Sequence, residues 1–157
     1  WEIKRFYPKE FNVAKEAAEL LSKKFHVNVP EDETGFIAMH FIDAQLKFEQ
    51  PMADKALHLI QEMMEIIRLV GHVTLDHESH AYYRLVTHLK FLARRILTRQ
   101  ISQKSIDVEM ILLMQKKYPR AWHCTEEITR FLQKQYDYQV SADDEFYLLV
   151  HLARIEV

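Results

Sequence analysis

Two glycines and four prolines in 157 residues leave little punctuation for hairpins, so the chain is predicted to be helical nearly throughout. A single cysteine, Cys124, cannot make an internal disulfide, and a reducing cytoplasm is the expected setting. No apolar run approaches the roughly 18 residues that suggest a membrane span, so no membrane insertion is expected. An excess of one charge is also missing: 21 basic against 23 acidic side chains give a net charge of −2. Proteins that grip a nucleic-acid backbone carry basic patches that neutralise phosphates, so this balance argues against direct nucleic-acid binding. What the chain does have in quantity is histidine, nine in all.

It also contains an internal duplication. The stretch from Tyr7 to His40 returns without a gap as Tyr118 to His151, an offset of 111 residues. Tyr7-Pro8 matches Tyr118-Pro119, Glu16 matches Glu127, Leu21 and Lys23 match Leu132 and Lys134, and Val29, Asp32 and His40 match Val140, Asp143 and His151. Residue class agrees in between, as in Phe11 with Trp122 and Phe25 with Tyr136. The period is too long for a solenoid repeat and suits a small domain. A second copy ending at the C-terminus would start near residue 50, where Glu49-Gln50-Pro51 interrupts the apolar pattern. The expected organisation is residues 1–48 as the C-terminal part of a first domain, 49–53 as a linker and 54–157 as a second domain. On this reading the chain is a fragment that begins in mid-domain.

The fold class expected is all-α. Phe11, Ala14, Ala17-Ala18, Leu21 and Phe25 follow helical spacing, and Trp122, Thr125, Ile128, Phe131-Leu132 and Tyr136 repeat the stripe. Both helices follow a Tyr-Pro step, where proline ends one helix and suits the first turn of the next. Pro30-Glu31-Asp32-Glu33 and Ser141-Ala142-Asp143-Asp144 read as acidic helix starts, with proline at an N1-like position or serine as N-cap. A complete unit would hold five helices, at roughly 53–73, 78–99, 107–117, 119–135 and 142–156, joined by the short links of a bundle.

The repeat sorts the histidines. His40 and His151 correspond, each seven residues after a carboxylate, Glu33 or Asp144. Seven residues is close to two turns, which puts imidazole and carboxylate on one helix face. His88 stands in Arg84-Leu85-Val86-Thr87-His88-Leu89-Lys90-Phe91, and its counterpart would precede residue 1. His26, His58, His72, His77, His80 and His123 have no partner at this offset and are expected to be solvated or locally satisfied. A metal centre is the competing reading of His72, Asp76, His77 and His80, with His123-Cys124 an adjacent pair elsewhere. Their spacing is not that of a zinc-protease helix, and no metal or cofactor is expected. Met63-Met64, Met110 and Met114 read as core or interface filler. The basic stretch Arg94–Arg99 reads as a solvated helix end or a docking patch for an acidic partner.

Three motifs carry a family resemblance: Tyr-Pro-Lys-Glu-Phe at 7–11, Pro-Glu-Asp-Glu-Thr-Gly-Phe-Ile-Ala-Met-His at 30–40, and Leu-Val-Thr-His-Leu-Lys-Phe-Leu at 85–92. In this order, with the tandem duplication, the chain resembles the PTS regulation domains of the BglG/LicT group of bacterial transcriptional antiterminators over essentially its whole length. The resemblance implies tandem five-helix bundles, the first truncated at its N-terminal helices. It implies phosphorylation at His40 in the first domain and at His88 and His151 in the second. It further implies a homodimer, the phosphocarrier protein HPr and a sugar-specific transporter component as partners, and RNA binding only through a separate N-terminal domain.

That chemistry suits imidazole, a competent nucleophile when neutral near pH 7. Phosphoryl transfer needs alignment and charge neutralisation more than covalent machinery. The charge partners expected from the sequence are Glu33 and Asp144 beside the repeated histidines, Thr87 and Lys90 beside His88, and Arg84, Arg95 and Arg154 as cations for a phosphoryl group. Two functions are compatible with such residues: a phosphorylation-controlled, dimerising regulatory module without turnover, or a histidine relay that passes phosphate onward. The sequence favours the former, because neither a nucleotide cradle nor a sugar-binding signature is visible.

Overall fold

The computed structural model describes residues 2–46, 52–100 and 106–155, and all regular structure within them is helical. Eight helices follow one another there: α1 (Glu2–Phe6), α2 (Pro8–Phe25), α3 (Glu31–Leu46), α4 (Ala53–Gly71), α5 (His80–Leu97), α6 (Val108–Lys117), α7 (Pro119–Tyr136) and α8 (Ala142–Arg154). The five helices expected for a full unit are α4–α8, displaced at their ends by at most two residues. The helices belong to two compact units, Trp1–His58 and Leu59–Val157, so the chain passes from one to the other within α4. Most of the expected linker at 49–53 lies outside the described residues.

In the first unit α1, α2 and α3 pack on one another. Tyr7, at φ −131° and ψ 56°, interrupts the helix, and Pro8 restarts it at a position where no amide donor is needed. Ile3, Phe6, Tyr7, Phe11, Ala14 and Ala18 bury the inner faces of α1 and α2 against Ala38 and Ile42 of α3. Helix α2 stops at His26, which takes the left-handed conformation (φ 55°) that a chain more often gives to glycine. Pro30 stands just before α3 rather than in its first turn, and its carbonyl accepts the Thr34 amide at 3.2 Å. The start of α4 is capped from α3: Asp43 Oδ1 accepts the amides of Met52 and Ala53 at 2.9 and 2.8 Å. Only half of the expected α2 stripe is buried, for Leu21 is 40% and Phe25 61% exposed.

The second unit shows what such positions look like when covered. Leu132, the equivalent of Leu21, is fully buried, and the Tyr136 hydroxyl, in the place of Phe25, donates to Glu62 of α4 at 2.6 Å. At the other end of the same helices Arg120 donates to the Gly71 carbonyl at 3.0 Å, so α4 and α7 run antiparallel. Leu59, Ile60, Met63, Met64 and Ile67 of α4 are buried, as are Tyr82, Leu85, Val86, Leu89, Leu92, Ala93 and Ile96 of α5. The methionines of α4 are therefore core filler as expected, whereas Met110 on α6 is exposed. Helix α8 packs against α5, α6 and α7. Each fully buried leucine there contributes about 1.5–3 kcal/mol by leaving water. The core they form is the floor of the site described next.

Candidate functional site

The site is made by α5 and α8, two helices whose starts are fixed by serine caps. Ser79 Oγ accepts the Tyr82 amide at 3.1 Å, and Ser141 Oγ accepts the Asp144 amide at 3.2 Å. Both satisfy amides that the first helical turn leaves without intrahelical partners. The helices run antiparallel: Arg95 meets Asp144, and seven residues back on α5 and seven forward on α8, His88 meets His151. The imidazole centroids lie 5.2 Å apart with the rings tilted by 37°. The Tyr147 ring, one turn before His151, is 5.9 Å from that of His88. Leu85 and Leu89 of α5 and Leu148 and Leu152 of α8, three residues before and one after each histidine, are all fully buried.

Both rings are half-buried, and His88 Nε2 and His151 Nδ1 have no hydrogen-bond partner among the described residues. Burial, then the charges of His151 and Arg95, push the His88 imidazole down to about 3. Burial, then Arg154 and Arg84, hold His151 below the usual histidine range. Desolvation penalises the charged form and nearby cations penalise it again, so His88 is neutral at physiological pH with a lone pair available.

The cations around the pair differ in their commitments. The Arg95 guanidinium is paired with Asp144, whose side chain is 3% exposed. The Ser141 hydroxyl donates to Asp144 Oδ2 at 3.0 Å, completing the anchor. Asp144 thus shares a helix face with His151, as its spacing requires, but the partner it holds is Arg95. Arg84 and Arg154 are exposed and form no ion pair among the described residues. Tyr138 closes the Arg95 end. Its hydroxyl donates to the Gln100 carbonyl at 2.8 Å, and burial, then the Asp144 charge, raise its pKa while Arg95 opposes them.

The other expected residues lie apart from this pair or serve their own helices. The Thr87 hydroxyl donates to the Tyr83 carbonyl at 2.8 Å on its own helix, and Lys90 is half-buried on α5. His40 and Glu33 are both exposed on α3, with Phe36 and Phe41 exposed beside them. The six histidines without a repeat partner are all exposed, and His77 packs edge-on against Tyr82 at 4.6 Å. No three His, Cys, Asp or Glu side chains converge as metal ligands among the described residues. The basic stretch 94–99 is not simply a solvated end. Arg95 is committed to Asp144, and Arg99 donates to the Asp137 carbonyl at 2.7 Å.

Sequence reasoning passed over three residues here. Tyr138 stands where the first copy has Val27, so the repeat concealed it. Tyr147 matches Phe36 and read only as apolar. Asp143 read as one more acidic residue at a helix start, yet it is buried, with Oδ1 accepting the Ile106 amide at 2.9 Å.

Comparison with known proteins locates the same pattern elsewhere. The family model described as the PRD domain matches residues 1–44 and 61–155. The chain is 36% identical over 155 residues to the transcription antiterminator LicT of Bacillus subtilis (strain 168), covering 99% of this chain and 56% of that protein. It is 34% identical to the beta-glucoside operon antiterminator of Dickeya chrysanthemi, covering 99% and 54%. It is 28% identical to the PtsGHI operon antiterminator of Bacillus subtilis (strain 168), covering 98% and 54%. The chain spans about half the length of the curated relatives it matches.

Proposed function

The chain belongs to the PRD domain family, and from that premise we propose that it is the regulatory region of a bacterial transcriptional antiterminator. In this reading the sugar phosphotransferase system phosphorylates His40, His88 and His151, and phosphorylation controls dimerisation and hence RNA binding by a separate N-terminal domain. The setting is cytoplasmic, and no helix among the described residues is long and apolar enough to cross a membrane. The chain performs no turnover of its own. Residues 1–48 are the C-terminal part of the first regulation domain and 54–157 the second. The matched ranges, 1–44 and 61–155, support that division.

The observation that carries the reading is the His88–His151 pair. Two neutral imidazoles are held together above an apolar floor, with Arg84 and Arg154 bearing on one of them. Neutral imidazole is the nucleophilic form, and guanidinium is the side chain best shaped to receive phosphoryl oxygens. A phosphoryl group brings a charge of about −1.5 to −2 into the seam between α5 and α8. The buried leucines below cannot solvate it, so the helices must adjust at their exposed faces. Helix α6, which packs on α8, buries none of its residues and exposes Val108, Met110, Leu112 and Leu113. Exposed apolar side chains of that kind suit a second copy of the chain. HPr is the proposed donor for the second domain. A sugar-specific transporter component is the proposed donor for His40 in the first domain.

The test is incubation with phosphoenolpyruvate, the general phosphotransferase enzyme and HPr, followed by peptide mass spectrometry under alkaline conditions. Label is expected on the peptides carrying His88 and His151, together with a change in dimer fraction on size-exclusion chromatography. Folded protein that takes up no label in the second domain overturns the proposal. A relay would pass its phosphate rapidly to a further acceptor, whereas the regulatory module holds it until the donor pool drains.

A further inference from the structure

We propose that α6 is a self-complementary seam at which two copies of the chain meet antiparallel, about a twofold axis passing between Leu112 and Leu113. This rests on the reading that the chain works as a homodimer, and adds the surface by which it does so. Helix α6 runs over Val108–Lys117 and packs on α7 and α8. Helical spacing divides its side chains into two faces. Ile111, Met114 and Gln115 are half-buried, on the side that meets the rest of the unit. Glu109, Leu112, Leu113 and Lys116, at i, i+3, i+4 and i+7, share the opposite face. Leu112 is 58% and Leu113 66% exposed, with the exposed Glu109 and Lys116 at either end.

The duplication separates what the fold needs from what it does not. Helix α1 runs into Tyr7-Pro8 as α6 runs into Tyr118-Pro119, so the offset of 111 residues extends to this helix. Met114 of the inner face corresponds to Ile3, which is buried in the first unit. Leu113 of the outer face corresponds to Glu2, so an apolar residue there is no requirement of the motif. Charge then selects the occupant. Along the seam the order is acid, leucine, leucine, base, and an axis midway between residues 112 and 113 is also midway between 109 and 116. Laid antiparallel on a second copy, the face sets Leu112 against Leu113 of the partner subunit and Glu109 against Lys116 of the partner subunit, each contact occurring twice. A parallel pairing would oppose like charges. Neither Glu109 nor Lys116 has an ion-pair partner among the described residues of its own chain. A ten-residue helix is about 15 Å long, a small patch beside the roughly 1,200–2,000 Å² buried in stable complexes. Association through it is therefore weak and easily tipped, and α6 lies on α8, the helix that carries His151.

The experiment uses the full chain, before and after phosphorylation by phosphoenolpyruvate, the general enzyme and HPr. Sedimentation equilibrium at low ionic strength gives the dimer dissociation constant in whichever state the wild type associates. Glu109→Lys and Lys116→Glu, both at exposed positions, should each raise it by about tenfold, because each turns two attractive contacts into repulsive ones. Mixed together, the two variants should associate with each other as the wild type does, since the mixed pair restores opposite charges at every contact. Leu113→Glu, which places the first copy's residue in the second, should abolish the dimer without moving the urea midpoint. A dimer that survives all three substitutions uses another face, which overturns the seam and leaves phosphorylation-controlled dimerisation standing. Single variants that weaken association but do not recover in the mixture overturn the antiparallel register and the proposal with it. Wild type that stays monomeric in both states overturns the dimerisation reading together with the seam.

Discussion

Lowering the pH should unfold this protein partly through one imidazole, and replacing that imidazole should remove a calculable share of the loss. His88 is depressed to about 3 in the folded state, whereas an unfolded histidine titrates near 6.5. The folded protein therefore keeps His88 neutral while the unfolded chain binds a proton as pH falls. Stability from this group is fully present above about pH 6.5 and is lost progressively below it, ceasing to fall only near the folded value of about 3. Two-state linkage gives a loss of roughly 2 kcal/mol between about pH 8 and about pH 5 from this one group. The cause is removal of the ring from water above Leu85 and Leu89, reinforced by the charges of His151 and Arg95. His88→Asn deletes the titration while keeping a polar side chain of similar size. Urea unfolding of wild type and variant at both pH values reports the term, because titrating groups that do not face His88 cancel in the comparison. The variant should lose roughly 2 kcal/mol less than wild type across that interval. Equal losses in the two proteins refute the account of a buried, neutral imidazole.

Three further perturbations follow from the same geometry. Asp144→Asn leaves the Arg95 guanidinium in its buried pair without a counter-charge and should cost about 3 kcal/mol in urea unfolding, most of it recovered by Asp144→Asn with Arg95→Met. Ser141→Ala removes both the α8 cap and the hydroxyl that Asp144 accepts, for a loss of about 1–2 kcal/mol read by thermal or urea denaturation. Asp143→Ala frees the Ile106 amide and should cost about 1–3 kcal/mol, with faster hydrogen exchange at Ile106 as the specific readout; an Ile106 amide that stays protected shows that the carboxylate does not anchor that segment.

Most of the helical frame is legible in the sequence, and the reasons are local. The Tyr-Pro steps, the Ser141 cap and the 3.6-residue stripes are chain-neighbour effects, and α4–α8 start and end within two residues of where they are expected. Periodicity cannot say whether a stripe will be covered. Phe11, Ala14 and Ala18 are buried but Leu21 and Phe25, on the same stripe, are exposed. The histidine pair was half legible. The repeat picked out His151 and the motif His88, but that the two rings touch is a fact of antiparallel α5–α8 packing, which links residues 63 apart. The pairing of Asp144 with Arg95 is illegible in the sequence for the same reason. Spacing along one helix placed Asp144 beside His151, while the interaction that matters crosses to the other helix.

The duplication sharpens that point, because it places one motif in two environments. Asp32, Glu33 and His40 on α3 are exposed, while their equivalents Asp143 and Asp144 on α8 are buried and His151 is half-buried. The motif is the same, so the difference comes from what lies over it, and on α8 that is α5 with Arg84, His88 and Arg95. A carboxylate at the exposed site can only cap or be solvated. At the covered site it fixes an arginine, and the arginine in turn helps keep a histidine neutral. On the proposed reading, the second unit carries a preformed acceptor, with the nucleophile deprotonated and the guanidiniums in place before any donor arrives. His40 lies exposed on α3 among the described residues. One helical motif thus takes two forms in this chain, the distinction residing in the helix laid across it rather than in the motif itself.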